Sequence, residues 1–366
     1  MKIIIVIPTL GNGGAERVAT ILANSFFQNN QVSIFLMESS SIEKYEVDRN
    51  IAIFEAGIKT AKRSKLEKIY NYIYNYKRQR KLLKKTIKET TPDIIISFLP
   101  KADFLVFSIK KSFKWIVSER NDPVRRNFLE KLILNIIYKK SDMLICQTKK
   151  VSTWYKNKGI KKTCIIKNPI IIQKKSRKEY TEKKFLISIG RLDKQKNFKM
   201  LIEAFFKAKQ QKNIKEKLYI IGEGPQRKEL EYEIRKKNMQ SEIKLLGRKK
   251  NTRYYLENAK AFILSSDYEG LPNVMLEAMD AELPIISTNF FSGAATELID
   301  EKNGIIVPVG KIDKMTEAIC KIVSKEMAGS LKKMGEVSKK RVRQMDCRII
   351  CYQWEKMLKN ILKGGY

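Results

Sequence analysis

Short apolar runs alternate with amphipathic segments along the whole chain, and this alternating series begins twice. The first series opens with the buried-strand pattern of residues 2–8, and the second opens with the run Phe185–Ile189. Strands that alternate with helices form parallel sheets with helices on their faces. The sequence therefore predicts an α/β fold of two Rossmann-like, doubly wound domains that face each other across a cleft, with ligands at the carboxyl ends of the strands.

The two series also divide the chain. Its 366 residues are too many for one ordinary domain. We expect residues 1–169 to form the first domain and residues 170–345 to form the second, with Asn168-Pro169 and the polar stretch 173–184 as the linker. The tail 346–366 has helical spacing and is expected to pack back on the first domain.

The chain has no histidine. This absence excludes Ser-His-Asp and Cys-His nucleophiles, histidine bases and zinc sites with histidine ligands. No two aspartates are separated by a single residue, so an Asp-x-Asp clamp for a divalent metal is also absent. We therefore expect chemistry without a metal or other cofactor, carried by carboxylates, lysine, arginine and backbone amides.

Three features predict a cytoplasmic protein. The five cysteines form no Cys-x-x-Cys pair, which is typical of reduced, buried thiols. The longest apolar runs are far shorter than the ~18 residues that cross a bilayer. The apolar start of the chain is interrupted by Pro8, which indicates a buried first strand rather than a signal peptide.

The charge is strongly positive, with 74 lysines and arginines against 39 acidic residues. Such a surface attracts polyanions: nucleic acid, anionic lipid or substrate phosphates. The segment Lys62–Lys88 holds 11 basic residues and one acid, and its apolar residues follow helical spacing. One interpretation is a basic amphipathic surface that binds anionic membrane headgroups or an acceptor that carries a pyrophosphate. The alternative is an ordinary surface helix with a solvated charged face.

The second half contains a strand–loop–helix pattern suited to an anion. Ala261–Leu264 is a buried strand, and Pro272 suits the first turn of the helix that follows. The amides of Asn273, Val274 and Met275 are then expected to be unpaired donors at the helix N-terminus. Such a terminus binds anions, above all a diphosphate.

Two glutamates accompany this helix. Glu269 precedes it, and Glu277 lies a little over one turn inside it, so both can face one ligand and accept hydrogen bonds from sugar or ribose hydroxyls. The alternative makes Glu269 a residue that complements the helix dipole and Glu277 a solvated helix residue. The flanking Glu-Gly-Leu-Pro and Glu-Ala-Met favour the ligand-binding interpretation.

This motif resembles that of retaining GT-B glycosyltransferases of glycosyltransferase family 4. The resemblance covers nearly the whole chain, and six motifs taken together make it specific. In order they are Gly-Gly-Ala-Glu-Arg-Val at 13–18, Gly-Arg-Leu-Asp-Lys-Gln-Lys-Asn at 190–197, Ile-Gly-Glu-Gly-Pro at 221–225, Leu-Gly-Arg at 246–248, the two glutamates at 269 and 277, and Ser-Gly-Ala-Ala-Thr-Glu-Leu-Ile at 292–299.

The resemblance implies a role for each matching residue. Arg191 and Lys196 match the pair that grips the donor diphosphate, where fixed cations stabilise the charge that grows on the leaving phosphate. Glu277 would bind the donor ribose and Glu269 the transferred sugar. The backbone at 246–248 would line the base, and the turn at 13–14 would approach the donor phosphate or sugar. The further donor-binding positions are Gly13, Gly14, Gly190, Leu246, Gly247, Arg248, Gly270, Leu271, Pro272, Asn273 and Val274.

One position departs from the family pattern. Many relatives have a histidine after the Ser-Glu of a first-domain loop, and here Arg120 follows Ser118-Glu119. An arginine is not a base at neutral pH, which fits front-face retention with the departing phosphate as proton acceptor. We expect Arg120 to contact the donor sugar or its phosphate, oriented by Glu119. The alternative is a simple loop pair of Arg120 with Glu119 or Asp122.

The resemblance therefore implies transfer of a hexose or N-acetylhexosamine from a nucleotide sugar, UDP-linked by preference, with retention. The acceptor is a growing glycan, on a polyprenyl diphosphate at the inner face of the cytoplasmic membrane. The first domain would face the acceptor and the second would bind the nucleotide sugar. The basic segment Lys62–Lys88 would make the protein a peripheral membrane protein.

Two other classes of protein share parts of this pattern. A dinucleotide-dependent oxidoreductase has a glycine-rich turn after the first strand and an acid such as Glu38 after the second, but Glu16 fills the third glycine position here. A basic nucleic-acid-binding protein shares the charge, but the sequence has no DNA- or RNA-binding motif. We therefore expect no nucleic-acid partner.

Overall fold

The chain forms two compact units. The computed structural model describes residues 1–11, 13–39, 45–57, 65–109, 112–173, 185–212 and 214–365, without the side chains of 65–70 and 72. Unit 1 is Met1–Pro169 with Cys347–Tyr366, and unit 2 is Ile170–Asp346. The expected tail began at 346, but Asp346 bridges Ile170 inside unit 2, and the C-terminal helix begins one residue later. Most of the expected linker, 174–184, lies outside the described residues.

Unit 1 is built on a seven-stranded parallel sheet in the order β3-β2-β1-β4-β5-β6-β7. Its strands are β1 (Lys2–Ile7), β2 (Gln31–Leu36), β3 (Ala52–Glu55), β4 (Ile94–Phe98), β5 (Lys114–Ser118), β6 (Met143–Cys146) and β7 (Thr163–Ile165). Its helices are α1 (Gly14–Phe27), α2 (Lys65–Thr90), α3 (Pro100–Phe107), α4 (Phe128–Lys139), α5 (Lys149–Asn157) and α14 (Cys347–Leu362), with a 3₁₀ turn at Pro123–Arg125.

The sequence of unit 1 explains its layers. Residues 3–7 of β1 are all apolar and buried, as expected for a central strand covered on both faces. The helix α14 packs on α1, where the rings of Phe26 and Trp354 lie 6.5 Å apart. The C-terminal residues 347–362 therefore complete the core of unit 1.

Unit 2 contains a six-stranded parallel sheet in the order β10-β9-β8-β11-β12-β13. Its strands are β8 (Phe185–Ile189), β9 (Lys217–Ile221), β10 (Ile243–Leu245), β11 (Ala261–Leu264), β12 (Ile285–Thr288) and β13 (Gly304–Val307). Its helices are α6 (Phe198–Lys212), α7 (Arg227–Lys236), α8 (Thr252–Asn258), α9 (Asn273–Asp280), α10 (Ala294–Leu298), α11 (Ile312–Val323), α12 (Lys325–Ala328) and α13 (Leu331–Val342), with 3₁₀ turns at Lys194–Lys196 and Arg343–Met345.

The order of the strands in unit 2 positions its site. The chain runs from β8 outward through β9 to β10, and then returns to place β11 on the other side of β8. Ligands of doubly wound sheets bind at the carboxyl edge where the order reverses. The loops that leave β8 and β11 meet at this point, and they carry the residues that the sequence singles out.

The basic segment forms most of one long helix in unit 1. Lys62 to Ser64 lie outside the described residues, and α2 covers the rest of the segment. Leu83 is buried in the core, and the buried Gln79 side chain donates to the carbonyl of Met37 at 2.9 Å. One face of α2 therefore holds the helix to unit 1. In the described part of the chain, no helix is long and apolar enough to span a membrane.

Candidate functional site

The loop after β8 is shaped by Asp193. Its carboxylate accepts from the backbone amide of Lys196 at 3.2 Å and from Nε of Arg191 at 2.6 Å. This side chain caps the 3₁₀ turn Lys194–Lys196. Asn197 then adopts the left-handed conformation at φ 47°, which asparagine tolerates, and its Oδ1 accepts from the amide of Met200 at the start of α6. Local hydrogen bonds thus fix the backbone that carries both predicted cations.

Lys196 and Glu269 form an ion pair. Nζ of Lys196 lies 2.5 Å from Oε1 of Glu269, and the two side chains are only 15% and 10% exposed. The hydroxyl of Ser266 donates to the same oxygen at 2.7 Å, and Nε2 of Gln195 donates to Oε2 at 3.2 Å. The carboxylate is therefore held by three donors, and the amine of Lys196 is fixed at the carboxyl edge of the sheet.

Arg191 is placed differently from Lys196. Its side chain is 73% exposed, and its Nε donates to the carboxylate of Asp193. The two residues predicted as one pair therefore differ in preorganisation. Lys196 is fixed in a buried pair, whereas Arg191 is an exposed cation tethered at its Nε.

Two glycines make room for this arrangement. A Cβ on Gly190 would lie 3.0 Å from Cε of Lys196, so the lysine stem packs directly on the glycine backbone. Gly222, which follows β9, has φ 146°, and a Cβ there would lie 1.8 Å from the carbonyl oxygen of Gly190. The loops after β8 and β9 approach so closely that only glycine fits at 222.

The loop after β11 leads into α9, and here one expectation is wrong. Pro272 is the N-cap residue rather than part of the first turn, and α9 begins at Asn273. The amide of Met275 donates to the carbonyl of Pro272 at 3.1 Å, so it is not an unpaired donor. The reason is that the extended backbone of Pro272, at ψ 115°, turns its carbonyl to close the first turn.

The other predicted donor-binding residues of unit 2 lie on neighbouring loops. Glu277 is half-buried in α9. Leu246, Gly247 and Arg248 follow β10, and the carbonyl of Gly247 accepts from the amide of Gly222 at 3.0 Å. The sites predicted from separate motifs therefore share one edge of one sheet. Whether they hold a donor stays a prediction.

Several supporting residues were not predicted from the sequence. The hydroxyl of Ser292 donates to the carbonyl of Gly270 at 2.6 Å, and that of Thr288 donates to the carbonyl of Ser266 at 2.5 Å. Nδ2 of Asn197 donates to Asp267 at 2.7 Å, which ties the loop after β8 to the loop after β11. Ser292 lies in a quoted motif, which is a signal that could have identified it.

In unit 1, the turn at 13–14 carries a carboxylate. Gly13 is the N-cap of α1, and a Cβ there would lie 2.1 Å from Oε2 of Glu16. Burial raises the pKa of Glu16, while hydrogen bonds from its own amide and from Thr9 favour the charged form. The N-terminus of α1 therefore already has an acidic side chain against it.

Arg120 lies at the carboxyl end of β5 and is nine-tenths buried. Its Nε donates to Ser118 at 2.7 Å and its Nη1 to Asn168 at 2.5 Å, whereas Nη2 has no hydrogen-bond partner. The guanidinium stacks over the rings of Phe98 and Trp354 at 5.4 and 5.9 Å. Burial lowers the pKa of Arg120 to about 9.

The expected partners of Arg120 are therefore wrong. Neither Glu119 nor Asp122 holds its side chain. Glu119 is instead gripped by both Nη atoms of Arg126 at 2.7 Å, and it also accepts from the hydroxyl of Tyr155. Burial alone would raise the pKa of Glu119, but the Arg126 charge and the hydrogen bonds from Arg126, Tyr155 and the amide of Asn121 together outweigh burial and hold the pKa below its usual range. A bidentate arginine partner is stronger than a loop contact to a neighbouring residue.

A cavity of about 1020 Å³ also lies in unit 1, lined in part by Asp93, Lys114 and Asp142. These residues precede or begin β4, β5 and β6, so the cavity lies at the amino ends of the strands. Ligands of such sheets bind at the other edge. Among the described residues, no three Cys, Asp or Glu side chains lie close enough to hold a metal ion.

Comparison with known proteins identifies the class. Residues 170–341 match the family model for glycosyl transferases group 1. A Campylobacter jejuni α-1,4-N-acetyl-D-galactosaminyltransferase, named for an undecaprenyl-diphosphate-linked glycan, is 26% identical over 99% of each chain. A second C. jejuni enzyme, an N-acetylgalactosamine-N,N'-diacetylbacillosaminyl-diphospho-undecaprenol 4-α-N-acetylgalactosaminyltransferase, is 27% identical over 87% of this chain and 89% of its own.

Solved structures show the same fold. Sucrose-phosphate synthase from Thermosynechococcus elongatus matches with a TM-score of 0.84 at 15% identity, over 100% of both chains. Anabaena HepE in complex with UDP-glucose matches with a TM-score of 0.79 at 16% identity, over 98% of this chain and 100% of its own.

The two doubly wound sheets and these matches define a glycosyltransferase of the GT-B type. The match to the family model for glycosyl transferases group 1 lies within unit 2. The predicted α/β fold of two doubly wound domains and the predicted glycosyltransferase activity are thereby confirmed. Membership of family 4, retention and independence from metal stay predictions.

Proposed function

We propose that the protein transfers a hexose or N-acetylhexosamine from a UDP-linked sugar to a growing glycan carried on a polyprenyl diphosphate. Transfer takes place with retention, as in glycosyltransferase family 4, and needs no metal. The observation that carries the proposal is the buried Lys196–Glu269 pair at the carboxyl edge of the group 1 domain. The names of the two C. jejuni relatives support the lipid-linked acceptor and the N-acetylhexosamine.

In this proposal Lys196 and Arg191 share the donor diphosphate. Lys196 is a fixed cation, and the exposed guanidinium of Arg191 turns from Asp193 to the phosphates when the donor binds. As the bond between the anomeric carbon and the phosphate oxygen breaks, negative charge grows on that oxygen. Fixed cations stabilise this charge more than they stabilise the bound donor, which lowers the barrier.

Glu269 keeps Lys196 in place and faces the transferred sugar. Its oxygens already accept from Lys196, Ser266 and Gln195, and a carboxylate oxygen accepts more than one hydrogen bond. A sugar hydroxyl can therefore be added without loss of the ion pair. Glu277, half-buried inside α9, takes the ribose hydroxyls. Neither glutamate needs to act as a base.

Two residues of unit 1 complete the assignment. Glu16 gives the turn at 13–14 a negative charge, so we assign this turn to a sugar hydroxyl rather than to a phosphate. Nη2 of Arg120 is a buried donor without a partner, and leaving such a donor unpaired costs about 1–3 kcal/mol. A sugar or phosphate oxygen of a substrate would satisfy it.

Retention requires no protein base in this scheme. The acceptor hydroxyl forms its bond to the anomeric carbon on the face from which the phosphate departs. Its proton passes to the departing phosphate oxygen, and UDP leaves. The names of the C. jejuni relatives specify α products, and an α-linked UDP donor gives an α product when the configuration is retained.

We place the reaction at the cytoplasmic face of a membrane, where the basic helix α2 attracts anionic headgroups. Reversing several charges between 77 and 88 should weaken binding to anionic vesicles. Unchanged binding and unchanged activity would refute this role of α2.

A nucleotide-release assay tests the proposed function. The intact protein is incubated with a panel of UDP-, GDP- and ADP-sugars, a short-chain, water-soluble polyprenyl-diphosphate glycan and a chelator. We expect acceptor-dependent release of UDP, undiminished by the chelator. Arg120→Met should reduce the release about 10-fold or more, because methionine keeps the apolar stem of the side chain but removes the hydrogen-bond donors of the guanidinium. Release of GDP or ADP alone, or release that needs a metal, would contradict the proposal.

A further inference from the structure

An exposed apolar face on α4 has no role in the chemistry described above. Five large apolar side chains of this 12-residue helix are 43–77% exposed. They are Phe128, Leu129, Leu132, Ile133 and Ile136. At 100° per residue these positions span a continuous arc of about 140°, and no acidic residue falls inside it.

The opposite face of α4 is held firmly. Leu134, Ile137 and Tyr138 are buried in the core of unit 1, and the helix begins with an Asn127 cap whose Oδ1 accepts from the amide of Glu130 at 2.8 Å. The apolar arc is therefore not a frayed segment. A folded helix presents it, and single proteins rarely leave a contiguous apolar patch of this kind exposed without a partner.

Cations lie beside one end of the arc. Nζ of Lys139, the last residue of α4, lies 3.3 Å from the place that a Cβ on Gly159 would take, so the end of α4 meets the turn after α5. The exposed lysines in the last turn of α5 and in the segment after it are Lys156, Lys158, Lys161 and Lys162. An apolar face flanked by lysines is the pattern of helices that lie in the interface of an anionic bilayer.

We propose that α4 inserts its apolar arc into the headgroup region of an anionic membrane. The five side chains expose roughly 500 Å², below the roughly 800 Å² per partner of a stable protein interface. A second copy of a chain with net charge +35 would also bring like charges together, whereas anionic lipid complements them. A bilayer is therefore the occupant that the area and the charge favour.

The position of α4 gives the contact a purpose that rests on the proposed function. Arg126, two residues before α4, is 7% exposed and grips Glu119 of the loop that also carries Arg120. Insertion of α4 would therefore hold the carboxyl end of β5 close to the lipid surface. A glycan on a polyprenyl diphosphate presents its phosphates at that depth.

Flotation with vesicles tests the inference. The intact protein is mixed with vesicles of phosphatidylcholine alone or with phosphatidylglycerol, and the bound fraction is measured. The variant Leu129→Ser/Leu132→Ser/Ile136→Ser should bind the anionic vesicles at least 10-fold more weakly. The matched control is Ile171→Ser/Tyr232→Ser/Tyr254→Ser, which alters three side chains of unit 2 that are 50–56% exposed and should bind like the wild type.

A second variant reports insertion directly. Fluorescence of Leu132→Trp should shift to the blue on anionic vesicles, and brominated lipids should quench it. The inference would be overturned if the serine variant and the wild type floated equally or if the brominated lipids did not quench the tryptophan. It would also be overturned if the wild type were a dimer and the serine variant a monomer. Failure of the proposed function would look different, because the wild type would then bind vesicles but release no nucleotide with the soluble acceptor. If the proposed function holds, the serine variant should retain full turnover on that soluble acceptor.

Discussion

Replacement of Lys196 and Glu269, singly and together, separates the structural role of the pair from its role in catalysis. Two unit charges 2.5 Å apart attract by about 7 kcal/mol at an effective dielectric constant near 20, and desolvation offsets part of this. Removal of one partner leaves the other charge buried. We expect Lys196→Met and Glu269→Gln each to lower the free energy of unfolding by about 3 kcal/mol. Met keeps the stem that packs on Gly190.

The double variant Lys196→Met/Glu269→Gln should recover most of this loss, because no buried charge then lacks a partner. Its turnover should stay as low as that of Lys196→Met, about 10²- to 10³-fold below the wild type, because the diphosphate has lost a fixed cation. Urea unfolding and nucleotide release measure the two quantities. Additive losses of stability would refute the coupling, and wild-type turnover of Lys196→Met would refute the diphosphate role.

Three further outcomes follow from single contacts. Arg191→Ala should lower turnover by about 10²-fold or more and leave urea unfolding unchanged, because the side chain is exposed; unchanged turnover would contradict its role. Gly222→Ala should lower stability by several kcal/mol, since its Cβ would meet the carbonyl of Gly190; a wild-type Tm would contradict this. Asp103 is a buried residue of α3, and burial raises its pKa to about 8. The stability that its proton gives the folded state is therefore fully present below about pH 4 and is lost as the pH rises through 8. The stability of the wild type relative to Asp103→Asn should therefore fall by up to about 1.4 kcal/mol per pH unit in that window, and a flat difference would contradict it.

The sheets and the loops of unit 2 could be predicted because they follow from local pattern. Short apolar runs such as Phe185–Ile189 are buried as strands of a parallel sheet, and the motifs that follow them in the sequence lie at the ends of those strands. The positions of Lys196 and Glu269 follow in the same way. Their direct contact does not, because it depends on β8 and β11 being neighbours although 73 residues separate the two side chains.

The neighbours of Arg120 show where sequence reasoning is insufficient. Adjacent charges such as Glu119 and Asp122 are natural partners on a sequence, but the backbone directs them away from Arg120. Its true contacts, Asn168 and the ring of Trp354, come from positions 48 and 234 residues away. The prediction that the amide of Met275 is unpaired is wrong for a simpler reason. The torsion angles of Pro272 decide which carbonyl closes the first turn of α9.

The stereochemistry of the product tests the central claim most directly. The intact protein is given an α-linked UDP-sugar that the panel identifies, with the soluble acceptor, and the anomeric proton of the new linkage is followed by nuclear magnetic resonance from the start of the reaction. The account predicts an α linkage, formed at the same rate as UDP and with chelator present. A β linkage, or UDP release without any new linkage, would contradict retaining transfer from a diphosphate held by Lys196 and Arg191.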